Sequence, residues 1–135
     1  MAAMALGAAG VQMGTAFLAT KECPIHQAYK ERLLAAKETD TVVTGLGTKD
    51  PVRCLRNQLT DNYFEMLRAR AHPDELMKPL TGSLPRAVEG DTETGSLQAG
   101  QVVGMLHDIR TIRETIEDVM NGAEQALQRL KGLSE

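Results

Sequence analysis

The first charged side chain of this protein is Lys21, so its first twenty residues carry no charge. Such a stretch must be a targeting signal, a membrane span or buried core. A secretory signal opens with a basic segment before its apolar run, and Met1 to Leu6 contains no basic residue. A spanning helix needs about 20 strongly apolar residues, whereas alanines, Gln12, Thr15 and Thr20 dilute this stretch. Gly7, Gly10 and Gly14 weaken a single long helix further, each costing roughly 1 kcal/mol relative to alanine. Two short buried elements are therefore expected: an alanine-rich helix over residues 2–9, capped near Gly7 or Gly10, then a strand over 10–18 interrupted at Gly14-Thr15. Helix, turn and buried strand make half of an αβ unit, so the expected class is α/β.

The chain has 135 residues, 42% apolar and 24% charged, which is enough for one globular domain and too apolar for disorder. A net charge of -3 gives no basic footprint for nucleic acid, and 3% aromatic content without tryptophan argues against base-stacking surfaces. Neither a nucleic-acid nor a membrane partner is expected. Two cysteines are not a disulfide framework, which points to a reducing, cytoplasmic compartment. Length also sets a ceiling, since a closed (β/α)8 barrel takes roughly 250 residues.

Beyond Lys21, apolar positions at 25, 28, 29, 33 and 36 have helical spacing after Pro24. The β-branched run 39–44 reads as a strand, and 45–51 as a turn. Residues 53–59 are expected to be a short loop with a helical lean, and 62–71 a helix stopped by Pro73. The Gly-, Ser-, Thr- and Pro-rich stretch 80–95 reads as a linker or surface loop. Ser96 can cap a helix with Leu97, Val102, Val103, Met105 and Leu106 apolar, and Gly100 and Gly104 would let a neighbour approach closely. Thr111-Ile-Arg-Glu114 is a capping box opening an amphipathic helix along Ile112, Ile116, Val119, Met120, Ala123, Leu127 and Leu130.

Gln12-Met-Gly-Thr15 carries the most chemistry. Glycine at a strand end lets a ligand approach the backbone, and the threonine hydroxyl with successive amides can hold a phosphate. Spacing alone favours a simpler role for that glycine, in close packing or a turn. Cys23 and His26 have the spacing of half a metal site. Cys54, His72 and His107 supply no second pair, so no metal is expected. A Cys–His nucleophile pair lacks a third, orienting group. Glu89 and Asp91 are either paired carboxylates or solvated loop acids. Arg53, Arg56 and Asn57 suit anion recognition, with structural ion pairing the favoured alternative.

Several stretches together resemble a flavoenzyme family. They are residues 5–20 (ALGAAGVQMGTAFLAT), Tyr29-Lys-Glu, Asp40-Thr-Val-Val-Thr44, Pro51-Val-Arg53, Glu89-Gly-Asp91 and residues 95–101 (GSLQAGQ). The family comprises the FMN-dependent enoyl-acyl-carrier-protein reductases II and the nitronate monooxygenases, and the resemblance runs in order along nearly the whole chain. It implies the C-terminal portion of a TIM barrel with an inserted α/β substrate domain and FMN at the barrel mouth. Residues 1–36 would be the end of the barrel (helix 7, strand 8 and the following helix). Residues 37–80 would be the inserted domain, and 81–135 a loop and C-terminal helices packing on the barrel.

By that resemblance Gln12, Met13, Gly14 and Thr15 bind the FMN phosphate. The family's catalytic histidine and the glycine-rich loop after strand 7 would lie upstream of Met1. His26, His72 and His107 do not occupy the histidine's motif, so no catalytic residue is assigned. The implied activity is enoyl-acyl-carrier-protein reduction with NAD(P)H in fatty-acid synthesis. One alternative is oxidation of nitronates with oxygen; another is a truncated or docking fragment without activity of its own. The implied partners are a small-molecule or carrier-protein-bound substrate and either a second copy or the missing barrel portion.

Overall fold

The β-branched segment Thr41–Thr44 forms a strand (β1) and pairs antiparallel with Val52–Leu55 (β2), with Thr41 opposite Leu55 and Thr44 opposite Val52. In the computed structural model, which describes residues 1–46, 48 and 50–133, this hairpin is the one regular sheet among the described residues. The strand β2 corrects the loop expected over 53–59. Its pattern is short, with exposed Arg53 between half-buried Val52 and buried Cys54, and pairing with β1 supplies what local propensity does not. In the connecting turn, the Thr48 hydroxyl donates to the Gly45 carbonyl at 2.6 Å, while positions 47 and 49 lie outside the described residues.

A second correction concerns residues 96–106, which form no α-helix. Residues 96–100 run extended along β2: the Leu55 amide donates to the Leu97 carbonyl (2.8 Å) and the Ala99 amide to the Arg53 carbonyl (3.2 Å). Cys54 and Gln98 form an isolated antiparallel bridge. A 3-10 turn follows over Gln101–Met105. Glycines at 100 and 104 penalise a helix here, whereas the extended path bonds to a strand already in place. The close approach expected at Gly104 is present: a Cβ there would stand 2.7 Å from the backbone nitrogen of Glu38.

The N-terminal helix α1 spans only Ala2–Ala5, and the chain turns at Gly7 with φ +95, which favours glycine. No strand forms over 10–18. Val11 is 62% exposed, no ladder partner lies beside it among the described residues, and Thr15–Leu18 is a single helical turn (α2). A strand edge needs a neighbour to satisfy its backbone, which accounts for this correction. Helix α3 (Gln27–Ala35) starts where Pro24 and the periodicity put it, and the His26 side chain caps it by accepting from the Ala28 amide at 3.1 Å. Tyr29 and Leu33 of α3 meet Leu55, Ala87, Leu97, Ala99 and Val103 in the core.

Helix α4 (Gln58–Arg68) begins earlier than Asn62 because buried Asn57 caps it, in a reciprocal box with Thr60. Pro73–Met77 forms α5, with proline at the first turn. The expected linker over 80–95 contains a further helix, α6 (Ser83–Val88), whose Ala87 is fully buried. Composition hid it, because buried Ser83 and Ala87 read as loop residues.

The loop after α6 is organised from two sides. Within it, the Asp91 carboxylate accepts the amides of Glu93 (2.9 Å) and Thr94 (2.8 Å) and also the Thr94 hydroxyl. From beneath, the Asn57 side-chain amide donates to the carbonyls of Thr92 (2.9 Å) and Gly95 (2.8 Å). The final helix α7 (Ile112–Lys131) opens with the expected capping box, Thr111 with Glu114. None of its residues is buried, and Ile116, Met120 and Leu130 are 46%, 64% and 58% exposed. No helix among the described residues is long and apolar enough to cross a membrane.

Asn57→Ala removes a helix cap and strips two carbonyls of their donor, so it should cost about 2–4 kcal/mol, read as a lower denaturant midpoint. The Thr94 hydroxyl first, then the Thr94 amide, hold the Asp91 carboxyl below its ordinary value. Its stabilisation is therefore complete above the unfolded value of about 3.9 and lost as pH falls through the lower folded value. The stability gap between wild type and Asp91→Asn should stay constant above about pH 5 and close in acid.

Candidate functional site

The short helix α2 has Gly14 at its N-cap, where no side chain caps it; of its first-turn amides, that of Phe17 donates to the Gly14 carbonyl at 3.0 Å, and no bond within the protein ties down those of Thr15 and Ala16 among the described residues. Gly14 has ordinary dihedrals, φ -106 and ψ -64, and a Cβ built on it meets nothing within 4 Å. Neither packing nor a left-handed turn explains this glycine. The space above it belongs to a cleft of about 520 Å³, within the roughly 300–1,000 Å³ usual for small-molecule sites.

Gln12, Met13, Gly14 and Thr15 form one wall of the cleft. The rest of the lining mixes apolar side chains, Val102, Met105 and Leu106 from the 3-10 turn region and Val119 from α7, with polar Asp108, Arg110, Thr115 and Asp118. Thr15 is 8% exposed, and its hydroxyl oxygen accepts the Gly100 amide at 2.9 Å across 85 residues. With the oxygen used as acceptor, the hydroxyl hydrogen remains available to donate. Within the lining, the Arg110 guanidinium is shared between Asp108 (2.6 Å) and Asp118 (3.3 Å). Donors to an anion in this cleft therefore come from backbone and hydroxyl, not from an uncommitted guanidinium.

The other residues singled out in the sequence lie elsewhere, except His107. His26 caps α3, and the His72 Nδ1 accepts the Asp74 amide at 3.4 Å where α5 begins. Among the described residues no three His, Cys, Asp or Glu side chains come together as a metal would need. Cys54 is buried and burial pushes its thiol up, which makes it a poor nucleophile. Asp91 is engaged by its own loop, and Glu89 is exposed. Arg53 donates to the Thr41 hydroxyl at 3.0 Å, Arg56 lies 3.9 Å from Asp61, and Asn57 is a cap, all structural roles. His107 lines the cleft but is exposed. Sequence reasoning missed Gly100, Arg110 and the apolar lining as site residues. Their only signal was the small residue at 100, because nothing local ties them to Gly14.

The nitronate monooxygenase family model matches residues 1–122. The structure of FabK from Thermotoga maritima is 40% identical, with a TM-score of 0.89 over 97% of this chain and 42% of that one. A (3aS,4S,5R,7aS)-5-hydroxy-7a-methyl-1-oxo-octahydro-1H-indene-4-carboxyl-CoA dehydrogenase of Mycobacterium tuberculosis is 33% identical over 99% of this chain and 48% of its own length. A probable nitronate monooxygenase of Staphylococcus saprophyticus is 34% identical over 96% of this chain and 36% of its own. The chain thus spans less than half the length of these relatives, and the fold match agrees with the α/β, part-of-a-larger-enzyme expectation. Family model and relatives agree that the chain belongs to the nitronate monooxygenase family of oxidoreductases.

Proposed function

We propose that Gln12, Met13, Gly14 and Thr15 hold the phosphate of FMN in an oxidoreductase that reduces enoyl thioesters with NAD(P)H. The observation that carries this reading is the open space above Gly14, a glycine that packing and backbone conformation leave unexplained. The donor set suits the group: the amides of Thr15 and Ala16 at the start of α2 and a threonine hydroxyl with its hydrogen free, near apolar Val102, Leu106 and Val119 for a flat ring. FMN, when bound, supplies the redox chemistry, carrying a hydride between nicotinamide and substrate.

The chain's own residues bind and orient. The α2 amides and Thr15 hydroxyl fix the phosphate end, while Val102, Leu106 and Val119 offer apolar surface to the ring. The Gly100–Thr15 bond keeps the hydroxyl aimed. The reductase assignment is supported by the 40% identity to FabK, against 34% for the staphylococcal monooxygenase. The family model's own name favours nitronate oxidation as the second reading.

Purified protein titrated with FMN should quench flavin fluorescence. Gly14→Val fills only open space, so it should weaken binding at least about tenfold, ~1.4 kcal/mol, with no change in denaturant midpoint. Absence of flavin binding by the wild type, or equal binding by the variant, would overturn the phosphate assignment. NAD(P)H consumption with an enoyl thioester supports the reductase reading; oxygen uptake with a nitronate would replace it with the monooxygenase.

A further inference from the structure

Tyr29 and Lys30 are neighbours on α3 and both are buried, at 1% and 6% exposed. Nothing in the cofactor reading uses them. The Lys30 ammonium donates to the Thr20 carbonyl at 2.6 Å, and among the described residues no carboxylate lies within ion-pair distance of it. An ammonium taken out of water costs free energy that a carboxylate partner usually offsets. The Tyr29 hydroxyl donates to the Gln98 carbonyl at 2.9 Å across 69 residues. Burial pushes its ionisation up, so it remains a donor at any ordinary pH.

These two bonds lead to the two ends of α2. Tyr29 holds Gln98, and two residues on the Gly100 amide donates to Thr15 at the start of α2. Lys30 holds Thr20 just past the end of α2, in the peptide whose N–H, that of Lys21, donates to the Arg110 carbonyl at 2.8 Å. The result is a closed ring: α3, Tyr29, Gln98 to Gly100, Thr15 to Thr20, Lys30 and back to α3. A one-turn helix about 6 Å long cannot fix its own orientation, because a single turn is marginal without outside restraints. We propose that Tyr29 and Lys30 are positioning residues, clamping α2 from both ends so that Gly14 and Thr15 present their donors to the phosphate. This rests on the FMN-phosphate reading above.

The test uses Tyr29→Phe, which removes only the hydroxyl, Lys30→Met, which keeps the stem, and Lys30→Arg, which keeps the donor. Each variant is titrated with FMN and with riboflavin, which lacks the phosphate. Amide hydrogen exchange is followed without ligand. Loss of one charge-assisted hydrogen bond predicts about a tenfold or greater fall in FMN affinity for Lys30→Met, with riboflavin affinity unchanged and partial rescue in Lys30→Arg. Exchange should quicken at the Lys21 amide in Lys30→Met and at the Gly100 amide in Tyr29→Phe. A purely structural role would lower FMN and riboflavin affinity by the same factor, and that result overturns the clamp. Unchanged exchange at both amides, in variants that fold, overturns it as well. Should the wild type fail to prefer FMN over riboflavin, the phosphate reading itself falls, which is distinguishable because the exchange data need no ligand.

Discussion

Residues 96–100 hold the molecule together. They lie in extended form with β2 on one side, exchanging the Leu55–Leu97 and Ala99–Arg53 bonds. At Gln98 they receive the Tyr29 hydroxyl from α3. At Gly100 they donate to Thr15 at the cleft. Leu97 and Ala99 also contribute to the core, 0% and 5% exposed. One five-residue segment thus joins hairpin, helix and candidate site. The backbone groups it satisfies would otherwise be buried without partners, at about 1–3 kcal/mol each.

That arrangement explains the shape of the site. α2 is too short to be independently stable, and both of its ends are tied through side chains to α3 and to the central segment. The cleft is lined by α2, by the 3-10 turn that continues from Gly100 and by α7 at Val119.

The sequence made local chemistry legible and long-range chemistry opaque. The Thr111–Glu114 capping box could be read directly because every atom it needs lies within four residues. Helix α3 and strand β1 also followed from local pattern. Gln12 to Thr15 stood out by composition, and in the structure all four line one cleft. By contrast, the helix expected after Ser96 lost to hydrogen bonds with β2, some forty residues away in sequence. α6 was hidden because its buried positions are serine and alanine. The rest of the cleft could not be read at all, since Gly100 finds Thr15 only across 85 residues.

The start of α2 is proposed as an anion seat for a flavin phosphate. The most direct measurement is amide chemical-shift mapping on isotope-labelled protein as FMN is added. The largest displacements are expected at Met13, Gly14, Thr15 and Ala16, with Gly100 following through its bond to Thr15. Binding with those amides unmoved, and displacements confined to α4, α5 and α6, would contradict it.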